Sequence, residues 1–339
     1  MKVLFIGGTG LISSACSDLA LERGLELFLL NRSISGKYPL PPGARLLEGD
    51  VSVNETGLAE MLAGYEFDVV VDWIAYTPED IERDLRLFRG RTRQFVFISS
   101  ASAYQKPPSH YLITEETPLE NPFWQYSRNK IACEERLMQA YRQESFPVTI
   151  VRPSLTYGPS QLPLNVNSWQ HPYTVIDRMK RGLPVIVPGD GTSLWVFTWN
   201  ADFARGFLGL LGNPKAIGEA YHITSDEVLT WNEAYRQVGY ALGVDLHIVH
   251  IPSDLIAVYD PDALGSLTGD KVNSVVFDNS KIKALVPDFE CTVPWSQGVR
   301  RTLAWFDADP SRQTIDTRLN AIWDKILSEY VKAFPKAAW

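Results

Sequence analysis

Short apolar runs that end in turn residues recur through the first half of the chain. Lys2 to Ile6 runs into Gly7-Gly8-Thr9-Gly10, Leu25 to Leu30 into Asn31-Arg32, and Arg45 to Leu47 into Gly49-Asp50. Asp68 to Asp72, Phe95 to Ser99 and Val148 to Arg152 follow the same pattern. Unbroken apolarity bounded by turns is the signature of a strand buried on both faces. Between these runs the spacing predicts helices over Leu11 to Arg23, Glu55 to Leu62, Pro78 to Phe88 and Tyr126 to Glu144. Strand and helix alternating from the first residue predict right-handed crossovers and an α/β, Rossmann-type, doubly wound parallel sheet.

After Arg152 the rhythm changes. Pro, Asn, Trp and Gly thicken from Pro153 to Asn200, and the elements that follow no longer alternate strictly. The expected organisation is a dinucleotide-type domain over 1–155. A smaller, partly discontinuous lobe then occupies 156–339, drawn from Pro153 to Asn200 and about Thr230 to Trp295, with returns to the first domain. A last helix, Thr317 to Phe334, packs either on its own chain or on a second copy.

Composition narrows the classes of function. The 339 residues are 45% hydrophobic, which fits a globular chain large enough for more than one core. A formal charge of −8 argues against a general nucleic-acid binder, whose affinity rests on cations neutralising phosphates. Cys16, Cys133 and Cys291 are sparse and odd in number, with no CxxC or Cys/His spacing. They predict a reducing compartment, no disulfide framework and no metal site. The apolar start is too short for a signal segment, and no run reaches a membrane span, so a cytoplasmic protein is expected.

Gly7-Gly8-Thr9-Gly10-Leu11-Ile12-Ser13 lies at the first strand–helix junction. Glycine there permits a tight turn, and the helix N-terminus offers free N–H groups and a favourable dipole to a pyrophosphate. The third glycine position holds Ser13, a small residue. Asn31 stands 21 residues after Gly10, where an acid would grip ribose hydroxyls and repel a 2′-phosphate. With Asn31, Arg32 and Ser33 there instead, NADP is favoured over NAD. Arg32 would pair with the extra phosphate, the alternative being a solvated loop residue.

Tyr126 and Lys130 lie four apart at the start of a helical pattern, so they share a face one turn apart. Upstream, Val96 to Tyr104 is a strand that delivers Ser99, Ser100 and Ser102 at its C-terminal end, where ligands bind in open α/β sheets. A phenol titrating near 10 is a poor base at neutral pH. Lowering it by about three units takes roughly 4 kcal/mol, part of which the Lys130 ammonium would supply. Tyr126 is the expected acid/base and Lys130 its electrostatic partner. Ser100, with Ser102 second, would orient the reacting oxygen.

On these residues the chain resembles the extended short-chain dehydrogenase/reductase superfamily, in its NAD-dependent epimerase/dehydratase branch. Val3 to Ser13 is similar to its glycine motif, Gly49-Asp50-Val51 to the adenine-side loop and Ile98 to Tyr104 to the serine strand. Tyr126 to Lys130 is similar to the catalytic motif, and Arg152 to Pro159 to the nicotinamide-side loop. Later stretches, Gly189 to Gly191, Asn200 to Ala204 and Phe277 to Lys281, also follow the family's course. The resemblance implies a bound nicotinamide dinucleotide contacted by Gly7, Gly8, Thr9, Gly10, Leu11, Ile12, Asn31, Arg32, Asp50, Val51, Ser99, Tyr126, Lys130, Pro153 and Ser154. It also implies a C-terminal substrate lobe and often a homodimer.

The departures bear on substrate. Leu155 stands where nucleotide-sugar members usually carry Asn, Trp195 where they often carry a phosphate-binding Arg, and Ala101-Ser102 where the dehydratases carry Asp-Glu. Each removes a group that recognises a diphosphate or drives elimination. Trp124, Trp169, Trp195 and Trp199 are candidates for a pocket wall facing a sugar-like ring, or for packing between lobes. His171 is expected to be structural. The reading is an NAD(P)-dependent oxidoreductase or epimerase acting on a secondary alcohol or ketone of a carbohydrate-like small molecule. A nucleotide-sugar epimerase is the alternative. The second half also resembles the chloroplast stem-loop RNA-binding branch around Arg178 to Gly191, which leaves an RNA-binding or redox-sensing module as the non-enzyme alternative.

Overall fold

The computed structural model describes residues 1–32, 38–51 and 55–333; Ser33 and Phe334, named above, lie outside them. Its elements open with β1 (Lys2–Ile6), α1 (Ser13–Glu22), β2 (Glu26–Asn31), β3 (Arg45–Glu48) and α2 (Glu55–Leu62). β4 (Phe67–Asp72), α3 (Pro78–Phe88), β5 (Thr92–Ile98), β6 (Leu112–Ile113), α4 (Gln125–Glu144) and β7 (Val148–Pro153) follow. β11 (Ala220–Ile223), from far downstream, completes a seven-stranded sheet of order β11-β7-β5-β4-β1-β2-β3 in which every neighbouring pair is parallel.

The apolar strands serve both faces because successive side chains point to opposite sides. Val3, Phe5, Leu27, Leu29, Val69 and Val71 pack against Cys16 and Ala20 of α1 and against Phe203 and Phe207 of α6 (Asn200–Leu208). Their sequence neighbours Leu4, Ile6, Phe28, Leu30 and Val70 pack the other way, against Leu58 and Leu62 of α2, Ile81 and Leu85 of α3, and Cys133 and Leu137 of α4. Helix α3 has a firm start. Pro78 occupies its first turn, and Thr77 and Asp80 form a reciprocal cap, each side chain accepting the other's backbone N–H.

The chain after residue 155 builds a second core and also feeds the first. β8 (Leu155–Tyr157), α5 (Tyr173–Lys180), β9 (Val185–Pro188), β10 (Leu194–Trp199), β12 (Val228–Thr230) and α7 (Trp231–Leu242) surround a core that includes Tyr157, Ile176, Val187, Phe197 and Trp231. Trp295 and Val299 of the helix Trp295–Asp307 join that core. Helix α6 and strand β11 return to the first sheet. A small outer cluster unites Val166, Ile251 and Leu267 with Trp323 and Ile326 of the final helix, Thr317–Val331.

Candidate functional site

The C-terminal ends of β1, β2, β4, β5 and β7 open into a cleft of about 1100 Å³. Its lining includes Gly7, Thr9 to Ser13, Asn31, Arg32, Asp50, Val51, Ser99, Ser100, Tyr126, Lys130, Pro153 and Ser154. The catalytic and cofactor-contacting residues picked from sequence therefore converge on one concavity, with two exceptions. Gly8 packs beneath the turn, where an added Cβ would come 2.3 Å from Leu29 Cδ2. Ser102 is buried behind Ser100.

At the glycine turn, Gly7 has φ +90° and an added Cβ would meet Ile74 Cγ2 at 2.7 Å, so both conformation and space select glycine. The Ser13 hydroxyl accepts the Gly10 N–H at 2.8 Å, so the replaced glycine position shapes the turn. Among the described residues no side chain caps the N-terminus of α1, and its first residues line the cleft, where a helix N-terminus favours an anion. Asn200, at the start of α6, donates to the Leu11 carbonyl at 2.9 Å and ties the returning helix to the turn. The residues present fit a dinucleotide pyrophosphate.

At the second strand, Asn31 donates to Thr9 Oγ1 at 3.1 Å, and Arg32 approaches Asp50 at 3.6 Å with its guanidinium largely exposed. Val51 is buried beside them. No acid follows β2 at the position of Asn31, but the Arg32 charge is shared with Asp50.

The reacting end is built by β5 and α4. Ser100 caps the short turn Ala101–Ala103 through the Ser102 N–H, and its hydroxyl lies 2.9 Å from that of Ser102. Ser127 donates to Ser102 Oγ at 2.8 Å, and Asn121 donates to the carbonyls of Ser102 at 2.8 Å and Gly269 at 2.6 Å. Ser100 is thus the hydroxyl in the cleft, and Ser102 holds it. Lys130 is buried and donates to the carbonyls of Ala75 at 2.7 Å and Ile98 at 2.8 Å, its ammonium over the Tyr76 ring at 4.7 Å.

The electrostatics differ from the expectation that Lys130 lowers Tyr126. Burial pushes the Tyr126 phenol up to about 12, opposed by a hydrogen bond with Ser100, and Lys130 has no part in the shift. The ammonium lies 5.8 Å from the centre of the Tyr126 ring, and its hydrogen bonds go to the two carbonyls. Burial also lowers Lys130 to about 8, against the pull of Cys133, Asp72, Glu134 and Asp80. From protein groups alone, the tyrosine is set as a proton donor.

Several cleft residues were not picked out from the sequence. Trp73, Ile74 and Tyr76, just after β4, line the cleft, as do Asp80 and Arg83 of α3. The rule that ligands sit beyond strand C-termini could have found the first three; Arg83 reads in sequence as a solvated helical charge. In the fold it is buried and binds Asp72 at 3.1 Å, Asp80 at 3.1 Å and Asp84 at 2.8 Å. Asp72 also accepts the N–H groups of Ile74 at 2.6 Å and Ala75 at 2.8 Å, fixing the carbonyl that holds Lys130. One turn past Lys130, Glu134 takes a forked pair from Arg152 at 3.0 and 2.6 Å and a bond from Ser99. Tyr38 crosses to Ser160 by a hydroxyl–hydroxyl bond.

The four tryptophans divide between the two places left open for them, cleft wall and packing. Trp195 and Trp199 lie in the second core at 1% and 5% exposure, because β10 faces α7 and the helix Trp295–Asp307 rather than the cleft. Trp124 is wedged against Gly265 and Gly269, and its ring lies 4.9 Å from that of Tyr126. Trp169 alone of the four lines the cleft. His171 bonds Thr314 at 2.9 Å at the surface. Among the described residues, no group of three or more His, Cys, Asp or Glu is placed to hold a metal ion, and no helix is long and apolar enough to cross a membrane.

Comparison with known proteins gives a consistent picture. Residues 3–224 match the profile of the NAD dependent epimerase/dehydratase family. The chloroplast stem-loop binding protein of 41 kDa b of Arabidopsis thaliana is 28% identical over 74% of this chain, which spans 65% of that protein's length. The 2′-dehydrokanamycin reductase of Streptomyces kanamyceticus is 24% identical over 86% of this chain and 80% of its own. Among solved structures, an epimerase of Methanothermobacter thermautotrophicus aligns with TM-score 0.74 at 20% identity, covering 91% of this chain and 93% of that one. The dTDP-glucose 4,6-dehydratase of Bacillus anthracis, in complex with NAD, aligns with TM-score 0.73 at 20% identity over 92% and 98%. At that identity the structural likeness speaks to fold.

Proposed function

The chain belongs to the NAD dependent epimerase/dehydratase family, and from that premise we propose that it is an NAD(P)-dependent oxidoreductase or epimerase acting on a secondary alcohol or ketone of a carbohydrate-like small molecule. The observation that carries this reading is the convergence of Tyr126, Ser100 and Lys130 with the glycine turn in one cleft. Residues 1–155 would hold the dinucleotide, with Gly7 to Ile12 at the pyrophosphate, Asn31, Arg32, Asp50 and Val51 at the adenosine, and Ser99, Lys130, Pro153 and Ser154 toward the nicotinamide. The chain beyond would hold substrate, and NADP is preferred to NAD. A cytoplasmic homodimer belongs to the same reading.

When bound, the dinucleotide supplies the two-electron exchange, accepting a hydride from a carbinol carbon or returning one to a carbonyl carbon. The chain handles the proton. Tyr126 as phenol donates to the carbonyl oxygen, and as phenolate takes the proton from the hydroxyl. Ser100 aligns that oxygen. Lys130, held by the Ala75 and Ile98 carbonyls, presents its remaining N–H to ribose hydroxyls. With the phenol pushed up to about 12, the chain's own groups hold it protonated, the form that donates to a carbonyl oxygen.

Tyr126→Phe is the direct test. It should retain NADPH binding while turnover falls by about two to four orders of magnitude, the weight of a positioned acid/base. The assay follows NADPH against panels of sugars, sugar nucleotides and simple ketones. Net nucleotide oxidation marks a reductase; substrate conversion without it marks an epimerase. Turnover unchanged in the variant removes Tyr126 from the chemistry. The stem-loop-binding relative gives the RNA-binding alternative a named precedent; retention of stem-loop RNA with no turnover would favour it over the enzyme reading.

A further inference from the structure

We infer that Trp169 is a stacking platform for a polyhydroxylated ring that carries no nucleotide, and that the final helix holds this platform over the cleft; the inference rests on the hydride-transfer reading of the same site. Trp169 is 64% exposed, yet Val166 and Ser168 just before it are 8% and 4% exposed, so the loop is anchored on its N-terminal side and the indole is left out. Asn167 donates to the carbonyls of Leu162 and Pro172, both at 3.0 Å, and accepts the Ser168 N–H at 2.9 Å. Ser168 donates to Asp316 at 2.9 Å and accepts the His171 N–H at 3.1 Å. The other Asp316 oxygen accepts the Leu319 N–H at 2.9 Å, capping the helix Thr317–Val331. One carboxylate therefore starts that helix and fixes the loop that presents the indole.

A rigid, exposed indole in the wall of a concave site suits a ligand with an apolar face and polar edges, as a sugar ring has. The charges nearby disfavour a diphosphate, which demands cations or a cluster of amides. The described cations lining the cleft are Arg32, Arg83 and Lys130. Arg83 is engaged by three aspartates, Lys130 by two carbonyls, and Arg32 stands with Asp50 beside the adenosine strand. In the same cleft Leu155, Thr156 and Tyr76 add apolar surface, a hydroxyl and a phenol.

The test measures binding to the NADPH-loaded full chain, independently of turnover. The probes are methyl α-D-glucopyranoside, a neutral aminocyclitol-free disaccharide such as maltose, UDP-glucose and UDP, compared by calorimetry and saturation-transfer NMR. The wild type should bind at least one bare sugar more tightly than UDP-glucose or UDP. Trp169→Ala should weaken that sugar about tenfold, roughly 1.4 kcal/mol, with NADPH affinity unmoved, and Trp169→Phe should restore most of it. Asp316→Ala should weaken the sugar severalfold in the wild type but add nothing in the Trp169→Ala background, which a general loss of stability would not produce. Tighter binding of UDP or UDP-glucose than of every bare sugar, or sugar affinity indifferent to Trp169→Ala, overturns the inference while leaving the Tyr126 chemistry untouched. Loss of the Tyr126→Phe effect with sugar binding intact overturns the chemistry instead.

Discussion

A buried ammonium is the most exposed point of the site to pH. Lys130 falls from its ordinary 10.5 to about 8 because burial outweighs the pull of Cys133 and of the carboxylates of Asp72, Glu134 and Asp80. If its ammonium holds ribose hydroxyls, NADPH affinity and turnover should decline as pH rises through about 8, and Lys130→Ala should abolish that limb. Titrations of NADPH between pH 6.5 and 9.5 check it. The same shift has a sign for stability. The unfolded chain holds this proton up to about 10.5 and the folded chain only to about 8, so this group's contribution to stability rises with pH between those values. Arg32 makes a second prediction at this scale. Arg32→Ala should weaken NADPH about tenfold, roughly 1.4 kcal/mol, and NADH little; tighter NADH binding in the wild type, unmoved by the substitution, would defeat the NADP preference. Tyr126, Ser100 and Lys130 were legible because their spacing and strand position encode a shared location. The upward shift of Tyr126 was not, because it depends on how much protein surrounds the phenol, and spacing carries no measure of burial.

The helices and strands that carry these residues were legible to within a few positions where apolar runs were long and bounded by turns. α3 is an example: Pro78 to Phe88 was bounded in the sequence as it is in the fold. Its reciprocal cap joins Thr77 to Asp80, whose carboxylate also receives the N–H groups of Tyr76 at 2.9 Å and Thr77 at 3.0 Å. Thr77→Ala should therefore cost about 1 kcal/mol of unfolding free energy, read from urea denaturation. The cost should be no more than a few tenths if water replaces the cap. The loop that α3 anchors was harder to read. Asp72 looks like the polar end of a strand, and only the fold brings Arg83 from the next helix to one of its oxygens while the other accepts the Ala75 N–H, fixing the carbonyl that holds Lys130. Contacts between consecutive elements that meet side by side leave no periodic trace in either one.

At the scale of the whole molecule, the chain order and the physical layers part company. Residues 1–155 read as the dinucleotide domain, with returns expected from the chain beyond; in the fold its sheet is closed by β11 and one of its faces is covered by α6. Phe203 and Phe207 are fully buried against that face, the Phe207 ring 4.9 Å from Trp73 and 6.1 Å from Phe5. Asn200, on the same helix, holds the Leu11 carbonyl of the glycine turn. Removing everything after residue 155 would thus bare the outer face of β1 and β4, leave β7 as an open edge and release the pyrophosphate turn. A fragment of residues 1–155 should show no cooperative thermal transition and no NADPH binding. The full chain should unfold in one transition, with near-ultraviolet circular dichroism and loss of NADPH binding coinciding. A fragment that melts cooperatively and binds NADPH as the full chain does would mean that the returning helix and strand decorate the first core rather than complete it.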